Sequence, residues 1–240
     1  IKEWSEALMR IDAVEHDQVA AQDLFNAIVA FNGVLQPLAK QRRTQPADDL
    51  VSVWANADID GFTYDSIRLY HEVGLFIAGG AETTRTAISH GLRTFCDHPD
   101  QWNHLAAHPE AIPTAVEEVI RWVSPLNNFF RNAAADTSLA GADLAEGDRL
   151  ILLYPAANRD PRVFDDPNRF DTTRSPNPHL GFGQGTHFCI GANLARYELA
   201  ILFEELTKRI TGLSPVTEPD VEPNIFARAV RSFHLGFTLR

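Results

Sequence analysis

Between positions 17 and 43, apolar side chains recur at Leu24, Ile28, Phe31, Leu35 and Leu38, three or four apart, so one face of a helix is apolar there. Gly33 and Pro37 fall inside that run and predict a kink or an early end. The start, Ile1-Lys2-Glu3-Trp4, already reads as helical, and Asp48-Asp49-Leu50-Val51 opens a short helix after a proline-containing loop. A longer periodic stretch runs from Thr63, a good N-cap, to about Cys96. Its middle, Leu75-Phe76-Ile77-Ala78-Gly79-Gly80-Ala81-Glu82-Thr83-Thr84, breaks an apolar face with paired glycines and three polar residues. Each glycine there costs about 1 kcal/mol relative to alanine, so packing or function must offset it.

Past Pro113 the pattern is helical again and contains Glu117-Glu118-Val119-Ile120-Arg121. Glu118 and Arg121 are three apart and share a face, a pairing usually worth under ~1 kcal/mol at a surface. The period then changes towards two. Strands are expected at 125–131, 137–139 and 149–154, with a turn at Gly141. A helix from Ala192 to about Arg209 follows, and residues 225–228 and 233–237 read as a terminal hairpin.

Composition narrows the classes. With 22% charged and 45% hydrophobic residues in 240, the chain is an ordinary globular one able to bury a substantial core. A net charge of −11 argues against a nucleic-acid-binding face. Two distant cysteines give no disulfide framework and fit a reducing, cytoplasmic setting. No apolar run reaches the ~18 residues of a membrane span.

The densest chemistry lies at Phe182-Gly183-Gln184-Gly185-Thr186-His187-Phe188-Cys189-Ile190-Gly191. Gly183 and Gly185 can adopt backbone angles closed to other residues, and they present no side chain to a flat ligand. Cys189 just precedes a helix, where unpaired N–H groups and the dipole's positive end suit a thiolate. A buried structural cysteine, or a zinc site from His179, His187 and Cys189, are the alternatives; neither accounts for the glycines, and the zinc spacing is irregular.

This decapeptide resembles the haem-binding loop of the cytochrome P-450 superfamily, the haem-thiolate monooxygenases. The resemblance implies a mainly α fold with a small β region, and haem b held by Cys189 as axial ligand. It implies that Phe182, Gly183 and Gly191 line the haem, with Arg131, His179 and His187 toward its propionates. The segment around Glu82 resembles the family's oxygen-binding helix, which makes Thr83 the alcohol that hydrogen-bonds dioxygen and Glu82 the acid of a proton relay. Glu118, Arg121 and Arg169 match a structural triad. Leu75, Ala78, Gly79, Leu126, Asn127, Asn128, Phe129 and Phe226 match the pocket for a hydrophobic substrate such as a steroid, terpene or fatty acid. The expected reaction is hydroxylation with O2 and electrons from a ferredoxin or flavodoxin-like donor. Other readings are a haem-binding fragment or sensor without turnover, and a peroxide-using enzyme of the same fold. Residues 1–240 are expected to form one haem-binding monooxygenase domain, the C-terminal portion of a longer protein that also carries the family's N-terminal region.

Overall fold

The computed structural model describes residues 2–10 and 13–240, which divide into two compact units, Ile1–Glu82 and Thr83–Arg240. The first contains helices α1 (Lys2–Met9), α2 (Gln18–Thr44) and α3 (Leu50–Ala55), the short strands β1 (Asp58–Ile59) and β2 (Phe62–Thr63), and the first half of α4 (Ser66–Asp97). Asp17 opens α2, its carboxylate accepting from the N–H groups of Val19 and Ala20. The apolar stripe turns inward as its spacing requires: Phe31 and Leu35 are buried, and Phe31 meets Trp4 at 5.3 Å and Tyr70 at 5.1 Å.

Two expectations change in this unit. Helix α2 does not stop at Pro37. The carbonyl that the proline ring crowds and deprives of a donor belongs to Gly33, four residues earlier, and both residues are exposed, so water can satisfy it. Nor does Thr63 cap α4, because it lies in β2; the Asp65 carboxylate takes the cap instead, accepting from Arg68 N–H at 2.8 Å.

The second unit packs the rest of α4 with α5 (Pro99–Ala107), α6 (Ile112–Val123) and α8 (Ala192–Arg209). Phe95 is fully buried at its centre, edge-on to Trp102, Phe170 and Phe203 at 5.3 to 5.5 Å. Helices α4 and α6 approach closely at Gly91, where an added Cβ would stand 2.9 Å from Val119 Cγ1. The β region consists of two-stranded antiparallel ribbons: β3 (Asn128–Asn132) with β6 (Arg149–Leu153), β4 (Thr137–Leu139) with β5 (Ala142–Leu144), β7 (Ile210–Pro215) with β10 (Leu235–Leu239), and β8 (Asp220–Val221) with β9 (Val230–Ser232). A one-turn helix α7 (Tyr154–Ala157) follows β6.

The terminal hairpin of 225–228 with 233–237 is not formed. Strand β10 pairs with β7, and the 225–228 segment runs beside β3's entry, with an isolated bridge from Leu126 to Ala227. Both halves of the expected hairpin are apolar and extended, so local pattern alone could not choose their partners.

Candidate active site

The cysteine loop is built by its glycines. Gly183 and Gly185 hold φ of +72° and +75°, and at Gly183 an added Cβ would stand 3.4 Å from the His187 carbonyl oxygen. A single 3-10 turn over Gly185–His187 lets Phe188 N–H donate to the Gly185 carbonyl, and Cys189 N–H donates back to Phe182 at 2.9 Å. Helix α8 begins directly after Gly191, and Cys189, Phe188 and Ile190 remain exposed. One glycine outside the decapeptide is more tightly placed than those within it. At Gly181 a Cβ would stand 2.6 Å from Ile120 Cγ2, so the loop's approach seats directly on α6.

Below the loop lies an ion-pair cluster. Arg196 donates to both Glu117 oxygens at 2.6 and 3.0 Å and covers the Phe182 ring at 4.5 Å. His179 Nδ1 accepts from Gly181 N–H at 3.1 Å, which leaves Nε2 to donate to Glu117 at 2.9 Å. Burial by itself would raise the Glu117 carboxyl, but hydrogen bonds from His179 and Arg196 outweigh it and hold the group at about 2. His179, only 3% exposed, therefore spends both ring nitrogens inside the protein, and its expected role toward a propionate is corrected to that of a support for the loop.

The structural triad also changes membership. Glu118 and Arg121 are fully buried and doubly hydrogen-bonded at 2.7 and 2.8 Å, and Arg121 further donates to the carbonyls of Asn158, Pro167 and Arg169. The third side chain is Arg174, whose Nε reaches Glu118 at 3.1 Å while its other nitrogens bind the carbonyls of Asp165, Asp166 and Arg169. Arg169 contributes its backbone; its side chain is 64% exposed beside Asp171.

Of the expected pocket residues, those in the second unit come together. Asn127 N–H donates to the Phe226 carbonyl at 2.7 Å, and the rings of Phe226 and Phe129 meet edge-on at 5.1 Å. Phe129 in turn meets Tyr154 at 5.9 Å, and the Tyr154 hydroxyl stands 3.9 Å from where a Gly183 Cβ would be. Tyr154 thus joins the aromatic wall to the cysteine loop, a role hidden in the sequence at the end of a strand-like run. Asn127 and Asn128 have a different occupation from pocket lining: their side-chain amides donate to the Ile225 carbonyl, at 3.3 and 2.6 Å, and Asn128 is buried. They clip the 225–228 segment in place. In the first unit Leu75 and Gly79 are exposed on one side of α4 and Ala78 is half-buried, while Glu82 is buried and accepts from Ser5 Oγ at 3.1 Å. Thr83, the first residue of the second unit, is half-buried on the same helix.

The residues present fit a haem. Cys189 offers one soft, exposed sulfur in an open loop, and Phe182, Phe188, Ile190 and Phe129 offer apolar surface around it. Arg131 is exposed, with one Nη bonded only to the neighbouring Phe130 carbonyl, and His187 is exposed; both retain donors for carboxylates. A bare ion would need more ligands, and among the described residues no three His, Cys, Asp or Glu side chains converge to hold one. The zinc alternative therefore has no ligand set.

A mainly helical chain that presents a single cysteine sulfur from a glycine-built loop, against an aromatic wall, defines the haem-thiolate class. The profile of the Cytochrome P450 family matches residues 110–225. A steroid C26-monooxygenase of Mycobacterium tuberculosis is 37% identical over 238 residues, covering 98% of this chain and 64% of the relative. A linalool 8-monooxygenase of Pseudomonas putida is 38% identical over 207 residues, covering 86% of this chain and 51% of the relative. Among solved structures, a Mycobacterium marinum cytochrome P450 in complex with pseudoionone superposes with a TM-score of 0.89 at 36% identity, covering 98% of this chain and 57% of that one. This chain belongs to the cytochrome P450 family and has its fold. It spans between half and two thirds of the length of these relatives.

Proposed function

We propose that the protein is a haem-thiolate monooxygenase that hydroxylates a hydrophobic small molecule of steroid or terpene type. The observation that carries this reading is the exposed Cys189 sulfur on a loop that adjoins, through Tyr154, the apolar wall of Phe129 and Phe226. The relatives named for a steroid and for linalool act on hydrophobic molecules, and the aromatic wall supports a substrate of that kind here. The cofactor in this reading is haem b, held by Cys189, Arg131 and His187, and it supplies the activation of dioxygen. The balance is one O2, two electrons and two protons for each hydroxylated product and water. The electrons come from a ferredoxin or flavodoxin-like donor in a cytoplasmic setting; the two free cysteines support that setting, and no helix among the described residues is long and apolar enough to cross a membrane.

The chain's own residues bind, orient and deliver protons. Phe129 and Phe226 exclude water from the reacting C–H bond, and the Asn127 and Asn128 amides fix the segment carrying Phe226. Thr83 holds a proton at its Oγ, and Glu82, adjacent on α4 and buried against Ser5, resupplies it from its carboxyl. Thr83→Ala is expected to keep consuming reductant and O2 while hydrogen peroxide replaces hydroxylated product. Product per reductant consumed, with peroxide assayed alongside, is the test; full coupling in Thr83→Ala would remove Thr83 from proton delivery.

A further inference from the structure

The second unit contains a polar cavity of about 320 Å³ in which none of the residues assigned to the cysteine loop takes part. Its walls come from the last turns of α4 and α6, the Asn158-Arg159 turn and the segment from Glu218 to Arg228. Three arginines line it: Arg93, which is paired with the acids at the rim, and Arg159 and Arg228, both half-buried. The last two each use one Nη to cap the end of α6: Arg159 donates to the Trp122 carbonyl at 2.9 Å and Arg228 to the Val123 carbonyl at 2.8 Å. Arg159 also stacks over the Trp122 ring at 4.8 Å. A guanidinium has five N–H donors, so each side chain keeps most of its capacity.

What sets this pair apart is the absence of counter-charge. Among the described residues neither Arg159 nor Arg228 has a carboxylate within ion-pair distance. The acids at the rim, Asp97 and Glu218, are already bound to Arg93, at 2.5 and 2.8 Å. His90 faces the same space; its Nε2–H donates to the Arg228 carbonyl at 3.1 Å, and burial, with the Arg228 charge, disfavours its protonated form, so it adds no further positive charge. Burial pulls both guanidiniums below their ordinary values. At Arg159 the charges of Arg121 and then Arg228 add to this, against a smaller pull from Glu118. Two half-buried, like-charged guanidiniums that hold helix carbonyls but no carboxylate carry an electrostatic cost that an oxyanion between them would relieve.

We propose that this cavity is an anion site that takes a small dianionic oxyanion of phosphate type, gripped by Arg159 and Arg228 beside Trp122. The test is calorimetric titration of the full chain with inorganic phosphate, together with thermal melts in phosphate and in chloride at matched ionic strength. Phosphate is expected to bind and to raise Tm beyond the chloride control. Arg228→Gln should weaken binding at least tenfold. Val221→Glu places a carboxylate on the cavity wall as an internal counter-ion; it should abolish phosphate binding while leaving Tm at or above the parent's, which separates loss of the site from loss of the fold. A Tm rise equal in phosphate and chloride, or phosphate binding unchanged in both variants, overturns the proposal.

Discussion

Glu117 shows how much of the candidate site rests on single side chains whose work is invisible in the sequence. Next to Glu118 on α6 it reads as the solvated neighbour of a paired acid, yet it receives His179 and Arg196 and anchors the loop that carries Cys189. Its carboxyl is held at about 2, below its ordinary 4.5, so the folded state binds fewer protons than the unfolded one in that interval. Stability from this group is therefore complete above pH 4.5 and is lost as pH falls towards 2. Glu117→Gln should flatten the fall of Tm between pH 4.5 and 2 while lowering Tm at neutral pH. An acid limb as steep in the variant as in the parent would show that Glu117 does not titrate as argued. The positive backbone angles at Gly183 and Gly185 and the Glu118–Arg121 pair were legible because each follows from residue type and spacing. His179 was misread because a histidine before a haem-type loop can face a propionate or a carboxylate of its own protein, and only the fold brings Glu117 to it.

Among the elements, α6 organises the loops that follow it. Glu118 receives five donors: two from Arg121, then Asp171 N–H, Arg174 Nε and Asn177 Nδ2. A buried carboxylate with that many partners fixes the course of residues 165–177, and through them the approach to Gly181 and the cysteine loop. Arg174 and Arg169 lie five residues apart, and their sequence context favours neither. The side chain that is 10% rather than 64% exposed makes the bond to Glu118. Arg174→Ala is expected to cost about 3 kcal/mol, since it removes one partner of a buried charge network. Arg169→Ala should cost under ~1 kcal/mol. Urea denaturation of the two variants checks the order, and equal losses would contradict the assignment. Helix placement was largely readable, down to α8 at Ala192–Arg209, because strong 3.6-residue periodicity survives any tertiary context. Strand partners were not. Residues 225–228 and 233–237 both carry apolar side chains, and their partners were chosen by long-range contacts such as the Asn128 amide on the Ile225 carbonyl and the pairing of β10 with β7.

For the molecule as a whole, the account comes down to one claim: that Cys189 presents a thiolate to haem iron. The glycine-built loop, the clamp of Glu117, His179 and Arg196 beneath it, and the wall of Phe129 and Tyr154 beside it all serve that placement. The carbon monoxide difference spectrum of the reduced, haem-loaded protein tests it most directly, with Cys189→Ser alongside. Because Cys189 is exposed, the substitution should leave the fold and melting of the chain unchanged within about 1 kcal/mol. The account predicts the red-shifted band of a thiolate-ligated iron in the parent and its loss in Cys189→Ser. No haem bound by the parent, or an identical band in the variant, would contradict it.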